Sequence, residues 1–283
     1  MSDRVALITD SAASLPDDVV SERDITVVAL QVRVGSQSLE EGRGSTQRIV
    51  TEALRESMAA STSRPSPATF AAAYAAAVEA GATAIVSVHL SAQVSGTYAS
   101  ARVAAADAGV PVEVVDSGQV GLGTGFAVLA AADALDRGAD APAAAAAAAE
   151  RAAATSSFFY VDTLEHLRRG GRIGAAAAWF GAALAVKPLL TVRSGRVEPL
   201  EKVRTAGRAL ARIEELAVAA AGDGPVDVGV QHLGVQARAA TLAGRLRARL
   251  PNAELVWERE VSPAVGVHVG PGAVAVVVAR RGR

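Results

Sequence analysis

The residues of this chain whose types and spacing could do chemistry gather where β-branched runs end. Asp10-Ser11 follows the run 5–9, Thr62-Ser63-Arg64-Pro65-Ser66 precedes an alanine-rich helical run, the loop 91–97 follows the run 84–89, and Asp116-Ser117 follows 112–116. In an open α/β sheet ligands bind beyond the carboxyl ends of the strands, so these four loops are placed to converge. They offer hydroxyls and, at helix starts, backbone N–H groups without intrahelical partners, a set suited to a carboxylate or phosphate. Ser11, Asp116 and Ser117 read first as helix N-caps. Thr62 and Ser95 sit in loops holding more hydroxyls than a cap uses.

Ser95 invites a nucleophile reading, because Val94-Ser95-Gly96 joins a strand to a helix. A hydrolase elbow needs G-x-S-x-G, however, and Gln93 and Thr97 occupy the glycine positions. Gly121-Leu122-Gly123-Thr124-Gly125 resembles a dinucleotide loop, but with G-x-G-x-G spacing and no clear ribose-binding acid on a following strand; its plainer reading is a flexible helix start. The histidines, at 89, 166, 232 and 268, are too scattered for a dedicated zinc site. His89 and His232 read as strand-edge residues. His268, in Val267-His268-Val269-Gly270-Pro271-Gly272, sits beside a glycine-rich turn where a ligand can come close. Arg168 and Arg169 suit the C-terminal end of a short helix. Arg172, beyond Gly170-Gly171, is open to a structural salt bridge or to a phosphate or partner contact.

The elements that must position these groups follow a βα grammar in the first half, with strands at 5–9, 84–89 and 112–116 each followed by a helix, which predicts a mostly parallel sheet flanked by helices. Ser66 with Pro67 opens a helix that Gly81 closes, and Pro16-Asp17 is a similar start. The alanine run 143–149, between Asp140-Ala141-Pro142 and Glu150-Arg151, reads as helix rather than linker. From about residue 158 shorter strands take over, at 158–162, 189–193, 197–203, 226–231, 255–258 and 273–279, with Ser194-Gly195 as a hairpin turn. The expectation is a two-domain α/β protein, with an N-terminal domain over 1–157 and a mixed-sheet C-terminal domain over 158–283.

Composition narrows the functions. The 283 residues carry 28 Lys+Arg against 29 Asp+Glu, which gives no field to attract nucleic acid. The absence of cysteine excludes disulfides, thiol nucleophiles and Cys-ligated metals. No cofactor is called for. About 65 alanines and only 4% aromatics imply a core of small side chains. The apolar run near the N-terminus is too short for a secretory signal, so a cytoplasmic location is expected. The apolar stretch 173–186 falls short of a membrane span and reads as a buried helix, and the run from Val261 reads as a loop feeding a strand. Contact with a membrane is expected to be transient at most.

Val5-Ala6-Leu7-Ile8-Thr9-Asp10-Ser11, Thr62-Ser63-Arg64-Pro65-Ser66, Leu90-Ser91-Ala92-Gln93-Val94-Ser95-Gly96-Thr97-Tyr98 and Val114-Val115-Asp116-Ser117 together resemble the DegV family of fatty-acid-binding proteins. The likeness continues through Asp162-Thr163-Leu164, Gly170-Gly171-Arg172-Ile173, Lys187-Pro188-Leu189-Leu190, Lys202-Val203-Arg204-Thr205 and His268-Val269-Gly270-Pro271-Gly272. The resemblance implies one long-chain fatty acid held between two domains, its carboxylate at hydroxyls and its tail in an apolar tunnel. It also implies a lipid-binding subunit without turnover of its own, which presents the carboxylate to a separate ATP-binding fatty acid kinase subunit; the acyl phosphate formed feeds phospholipid synthesis. By motif, Thr62 and Ser95 would bind the carboxylate, with Ser63, Gly96 and Thr97 beside them and His268 near the head group. Arg204 and Arg172 would serve the head group or kinase docking.

Two departures stand out. Arg64 replaces the Gln common in the family, and the segment 40–51 lacks the expected Asp-Gly pattern. Binding is physically reasonable: a buried carboxylate needs hydrogen bonds, which hydroxyls, helix N–H groups and a protonated His268 would supply. At roughly 0.8 kcal/mol per buried CH₂, about fifteen methylenes contribute on the order of 10 kcal/mol before ordering costs. The competing readings are a small-molecule enzyme, serine hydrolase or phosphotransferase, at the same anion site, and a nucleotide binder at Gly121–Gly125.

Overall fold

The computed structural model describes residues 4–42, 45–179 and 187–282. The chain begins with β1 (Val5–Asp10), a 3-10 turn (Ser11–Ala13), α1 (Asp17–Glu22), β2 (Ile25–Val28), β3 (Gln31–Val34), β4 (Gln37–Glu40), α2 (Thr46–Arg55) and β5 (Ala60–Ser63). Then come α3 (Pro67–Glu79), β6 (Ala84–His89), α4 (Thr97–Ala105), β7 (Val112–Asp116), α5 (Leu122–Asp136) and α6 (Ala141–Ala153). The second half runs β8 (Thr155–Tyr160), α7 (Glu165–Arg169), β9 (Lys187–Arg193), β10 (Arg196–Val203), α8 (Ala206–Ala221), β11 (Val226–His232), α9 (Gln236–Arg249), β12 (Ala253–Glu260), α10 (Pro263–Val269) and β13 (Val274–Arg280).

The first sheet is parallel, in the order β2-β1-β6-β7. Strand alternation sends Ile8 and Ile85 to one face, against Phe70 and Tyr74 of α3 and Ala101 of α4. Leu7, Val86 and Val88 go to the other, against the alanine surfaces of α5 and α6. The alanine run is therefore core-forming helix: small side chains let α5 and α6 lie close to the sheet and to each other. The second sheet is mixed, β10-β9-β8-β13-β11-β12, and each strand expected in this half is present. Val274, Val276 and Val278 face α8 and α9. Val277 and Ala279 face α5 instead. Ser194 and Gly195 both have positive φ in the two-residue β9–β10 hairpin, the turn that matches strand twist.

Three expectations need correction. β2 and a small antiparallel sheet, β4-β3-β5, stand in the first half at positions where the residue pattern names no strand. β5 reads Ala-Ser-Thr-Ser, with nothing apolar and branched to announce a strand, and pairing to β3 holds it. The run from Val261 is a helix rather than a loop: the Ser262 hydroxyl accepts from the Val265 N–H, Pro263 fills the first turn, and Gly270 at φ +76° ends it. In the stretch 173–186, Gly174–Trp179 is a 3-10 helix in which only Ala176 is buried, and the rest lies outside the described residues. Gly174, at φ +54°, lies against the Val197 carbonyl, a conformation that an α-helix cannot pass through.

Candidate site at the domain interface

The part of the second sheet's inner face that α5 leaves uncovered looks across at the loops after β1, β5 and β6, and between them lies a pocket of about 990 Å³ including its mouth. Its floor comes from alternate residues of adjoining strands, among them Phe159, Val192, Ala275 and Val277. Two polar side chains on this floor, Ser157 and Gln231, are tied back: Ser157 Oγ donates to Gln119 Oε1 (2.9 Å) and Gln231 Oε1 accepts from the Leu122 N–H (2.9 Å). The remaining polar side chains of the wall are Thr62, Ser95, Arg172 and His268.

Thr62 is on β5, opposite Val32, and its Oγ1 lies 2.9 Å from Nε2 of His268, in the last turn of α10. The other ring nitrogen, Nδ1, is buried without a partner against Gly170. Burial, reinforced by the Arg172 charge, pulls this imidazole down to about 4, so it is neutral at pH 7, contrary to the protonated form anticipated from sequence. A buried lone pair without a donor costs less than a buried N–H without an acceptor, which assigns the single proton to Nε2. Thr62 Oγ1 then accepts from His268 and keeps its own O–H for the pocket. Neutral His268 thus orients a donor toward a ligand, in place of the cation expected there.

Ser95 is held differently. Its Oγ is 2.9 Å from Thr97 Oγ1 and accepts from the Thr97 N–H (3.3 Å), a turn immediately before α4. Its partners are thus hydroxyl and backbone, not the imidazole that a serine nucleophile requires. Thr97 is fully buried and acts by holding Ser95, and Gly96 lies beneath the Arg64 side chain. Arg172 donates through Nε to the Val94 carbonyl (2.8 Å) and through Nη1 to the Gly170 carbonyl (2.6 Å), stitching the α7 loop to the β6–α4 loop. Ser63 and Arg204 are exposed and do not line the pocket. Ser63 alternates with Thr62 along β5, and Arg204 lies between the end of β10 and Thr205, the N-cap of α8.

The other residues singled out brace the loops. Asp10 accepts from the Ala12 N–H, the Leu90 N–H (each 3.1 Å) and His89 Nδ1 (2.9 Å), while His89 Nε2 meets Ser87 Oγ at 2.7 Å. Tyr74 O–H donates to that same Ser87. All four side chains are fully buried, so this Ser-His-Asp chain fixes the pocket loops and contacts no substrate; His89 is not an edge histidine. Ser11 and Asp116 link separate loops and Ser117 turns its own loop; none of the three caps a helix. Ser11 accepts from Leu30 N–H, Asp116 from Ala92 and Gly118 N–H, and Ser117 from Gln119 N–H.

Sequence reasoning missed Glu41. Buried, it accepts from Ser11 Oγ and from the Ala264 N–H in the first turn of α10, and burial raises its carboxyl pKa. Glu41 therefore ties the β4–α2 loop to the helix bearing His268. The acid-glycine pair sought in 40–51 is Glu41-Gly42, with Glu in place of Asp.

The glycines at 121–125 serve packing. Leu122 N–H is taken by Gln231, Gly123 N–H by the Val120 carbonyl, and Thr124 and Gly125 N–H by the Gly121 carbonyl. A Cβ on Gly125 would stand 2.7 Å from the Ala13 carbonyl oxygen. The segment is buried between domains with the amides of residues 122–125 engaged, which removes the basis for a nucleotide site. Among the described residues no cluster of three or more His, Asp or Glu is placed to hold a metal, and no helix is long and apolar enough to cross a membrane.

Comparison with known proteins agrees with this architecture along its length. A DegV domain-containing protein of Streptomyces coelicolor is 51% identical over 281 residues, 99% of this chain and 100% of its own. A solved DegV family protein of Thermus thermophilus, described as binding fatty acid, superposes with a TM-score of 0.93 at 32% identity, covering 98% of this chain and 100% of that one. DegV of Bacillus subtilis, described as a fatty acid binding protein, gives 0.91 at 29% identity, covering 99% and 100%. The family model "Uncharacterised protein, DegV family" matches residues 4–281, so an interdomain pocket walled by both halves sits within a fold matched from end to end, and the chain belongs to the DegV family.

Proposed function

We propose that this protein binds one long-chain fatty acid in the interdomain pocket and presents its carboxylate to a separate ATP-binding kinase subunit. The carrying observation is the division of the pocket wall: an apolar floor on the second sheet, and Thr62, Ser95, Arg172 and His268 as polar side chains not tied to that floor. An ionised carboxylate is stable out of water only where donors meet it, and Thr62, oriented by neutral His268, together with Ser95 supplies them. The tail lies on the floor, where each methylene contributes about 0.8 kcal/mol. The fatty-acid-binding descriptions of the Thermus and Bacillus proteins support the ligand class.

Phosphorylation to an acyl phosphate that feeds phospholipid synthesis calls for a partner bringing ATP, since the glycine segment 121–125 is packed between domains and is not open to a nucleotide. Arg204, exposed and outside the pocket, is assigned to docking that partner, and Arg172 to the head-group side. No turnover is assigned to this chain alone.

Mass spectrometry of ligand extracted from the purified protein tests the lipid reading. A co-purifying C14–C20 fatty acid, or stoichiometric uptake of added oleate or palmitate, is expected; recovery of none and uptake of neither refutes it. For the kinase step, acyl phosphate should form only when an ATP-binding kinase subunit is supplied.

A further inference from the structure

Arg64 is one residue past the end of β5 and two past Thr62, and its side chain reaches across to the turn that carries Ser95. It lies flat on Gly96: a Cβ there would stand 2.7 Å from Arg64 Cδ and 2.9 Å from Cζ. The side chain thus bridges the two hydroxyl-bearing segments, next to Thr62 and Ser95 of the pocket wall. Arg64 is exposed, and among the described residues it has no hydrogen-bond or ion-pair partner. Arg172, by contrast, already serves the Val94 and Gly170 carbonyls. Beside the polar wall there is therefore one cation committed to backbone and one exposed and uncommitted.

We propose that Arg64 is a head-group specificity residue that favours a long acyl or alkyl chain ending in a dianionic phosphoryl group over the same chain ending in a carboxylate. This rests on the lipid-binding reading above. A carboxylate seated at Thr62 and Ser95 reaches no further than those hydroxyls. A phosphoryl group attached to it extends beyond those hydroxyls, within reach of the Arg64 side chain that bridges them, adds a second negative charge and presents oxygens that match the guanidinium fork. Gly96 contributes by having no side chain to lift that fork away.

The test measures binding of hexadecyl phosphate and of palmitate, by competition against a fluorescent fatty acid, to the wild type, Arg64→Gln and Arg64→Lys. Arg64 packs on a glycine at the surface, so the variants retain the fold, checked by unchanged melting temperature. Arg64→Gln is expected to weaken hexadecyl phosphate about tenfold and palmitate less than about threefold, with Arg64→Lys between for the phosphate because it loses the two-point contact. Added salt should weaken the phosphate ligand more than palmitate in the wild type, and equally in Arg64→Gln. Equal losses for both ligands, or none for either, overturn the assignment while leaving lipid binding intact. A wild type that binds neither ligand overturns the lipid-binding reading and this assignment with it.

Discussion

Gly170→Ala separates what backbone preference predicts from what packing predicts. Gly170 has φ −75° and ψ −10°, ordinary right-handed helical values that alanine adopts readily. On conformational grounds the substitution should stabilise by about 0.4–1 kcal/mol, through a less flexible unfolded chain. The structure predicts the reverse. A Cβ at this position would collide with His268 Nδ1 and lie 2.7 Å from Cε1, and the ring cannot retreat without giving up Thr62 Oγ1, 2.9 Å from Nε2 on its other side. Overpacking costs about 1–3 kcal/mol, and the lost buried hydrogen bond about 1 kcal/mol more. Against the backbone gain, a net destabilisation of about 1–3 kcal/mol remains. Urea denaturation reads this as a lower midpoint at unchanged slope. Affinity for fatty acid should fall as well, about tenfold, because Thr62 loses the partner that orients its hydroxyl. A Gly170→Ala variant as stable as the wild type, with undiminished affinity, would refute the claim that His268 rests on this glycine and sets the Thr62 donor.

Acid should act on His268 and Glu41 in opposite directions. The folded pKa of His268, about 4, lies below its unfolded value of 6.5, so its contribution to stability is present above pH 6.5 and declines as pH falls toward 4; His268→Gln should flatten that part of the stability–pH curve. Glu41 has a folded pKa raised above 4.5, so the folded state gains as pH falls through that raised value, and Glu41→Gln, which keeps an acceptor for Ala264, should remove this gain. Asp227 pairs with buried Arg151 of α6 and with Arg281 (3.0 Å), joining the two domains; Asp227→Asn should cost about 3–5 kcal/mol by urea titration, and Arg151→Met/Asp227→Leu considerably less. Thr62→Val should weaken palmitate retention about tenfold and lower the melting temperature by a few degrees, since the side chain keeps its shape but the buried His268 Nε2–H loses its acceptor.

The parts legible in the sequence are those with local causes. Strands 84–89, 112–116 and 226–231 announce themselves by β-branched runs, and the Ser194-Gly195 hairpin by its turn residues. Thr62, Ser95, Arg172 and His268 stand out as residues too numerous, or too oddly placed, for capping, and all four meet in one pocket. What stays hidden depends on pairing across distance. β5 is a strand only because β3 lies beside it, and Glu41 is buried only because α10, more than two hundred residues later, ends its N-terminus there. A charged His268 follows from the access that the glycine turn suggests; no local pattern says that Gly170 closes over its Nδ1.

The glycines show why the pocket exists where it does. Gly229 of β11 lies against Leu122, where a Cβ would stand 2.6 Å from Cδ1, and Gly125 brings α5 onto the Ala13 carbonyl. With Leu122, Phe126, Val277 and Ala279 packed together, the domains are in contact along this side of the sheet face. Contact stops at Gly121, whose φ of +62° turns the chain away and whose missing side chain makes room for the Gln231 amide. Beyond that point Ala275, Phe159 and Val192 of the sheet face line the pocket, clustered with Leu167 of α7 and Val269 of α10, and the hydroxyl loops, braced by Asp10 and Glu41, stand opposite. A side chain at Gly229 would wedge the interface open and change the pocket's depth without touching its lining. On the proposed lipid reading, the tail length accepted would depend partly on how closely α5 approaches the second sheet, which would give the abundance of small residues on α5 a consequence for ligand choice beyond core packing.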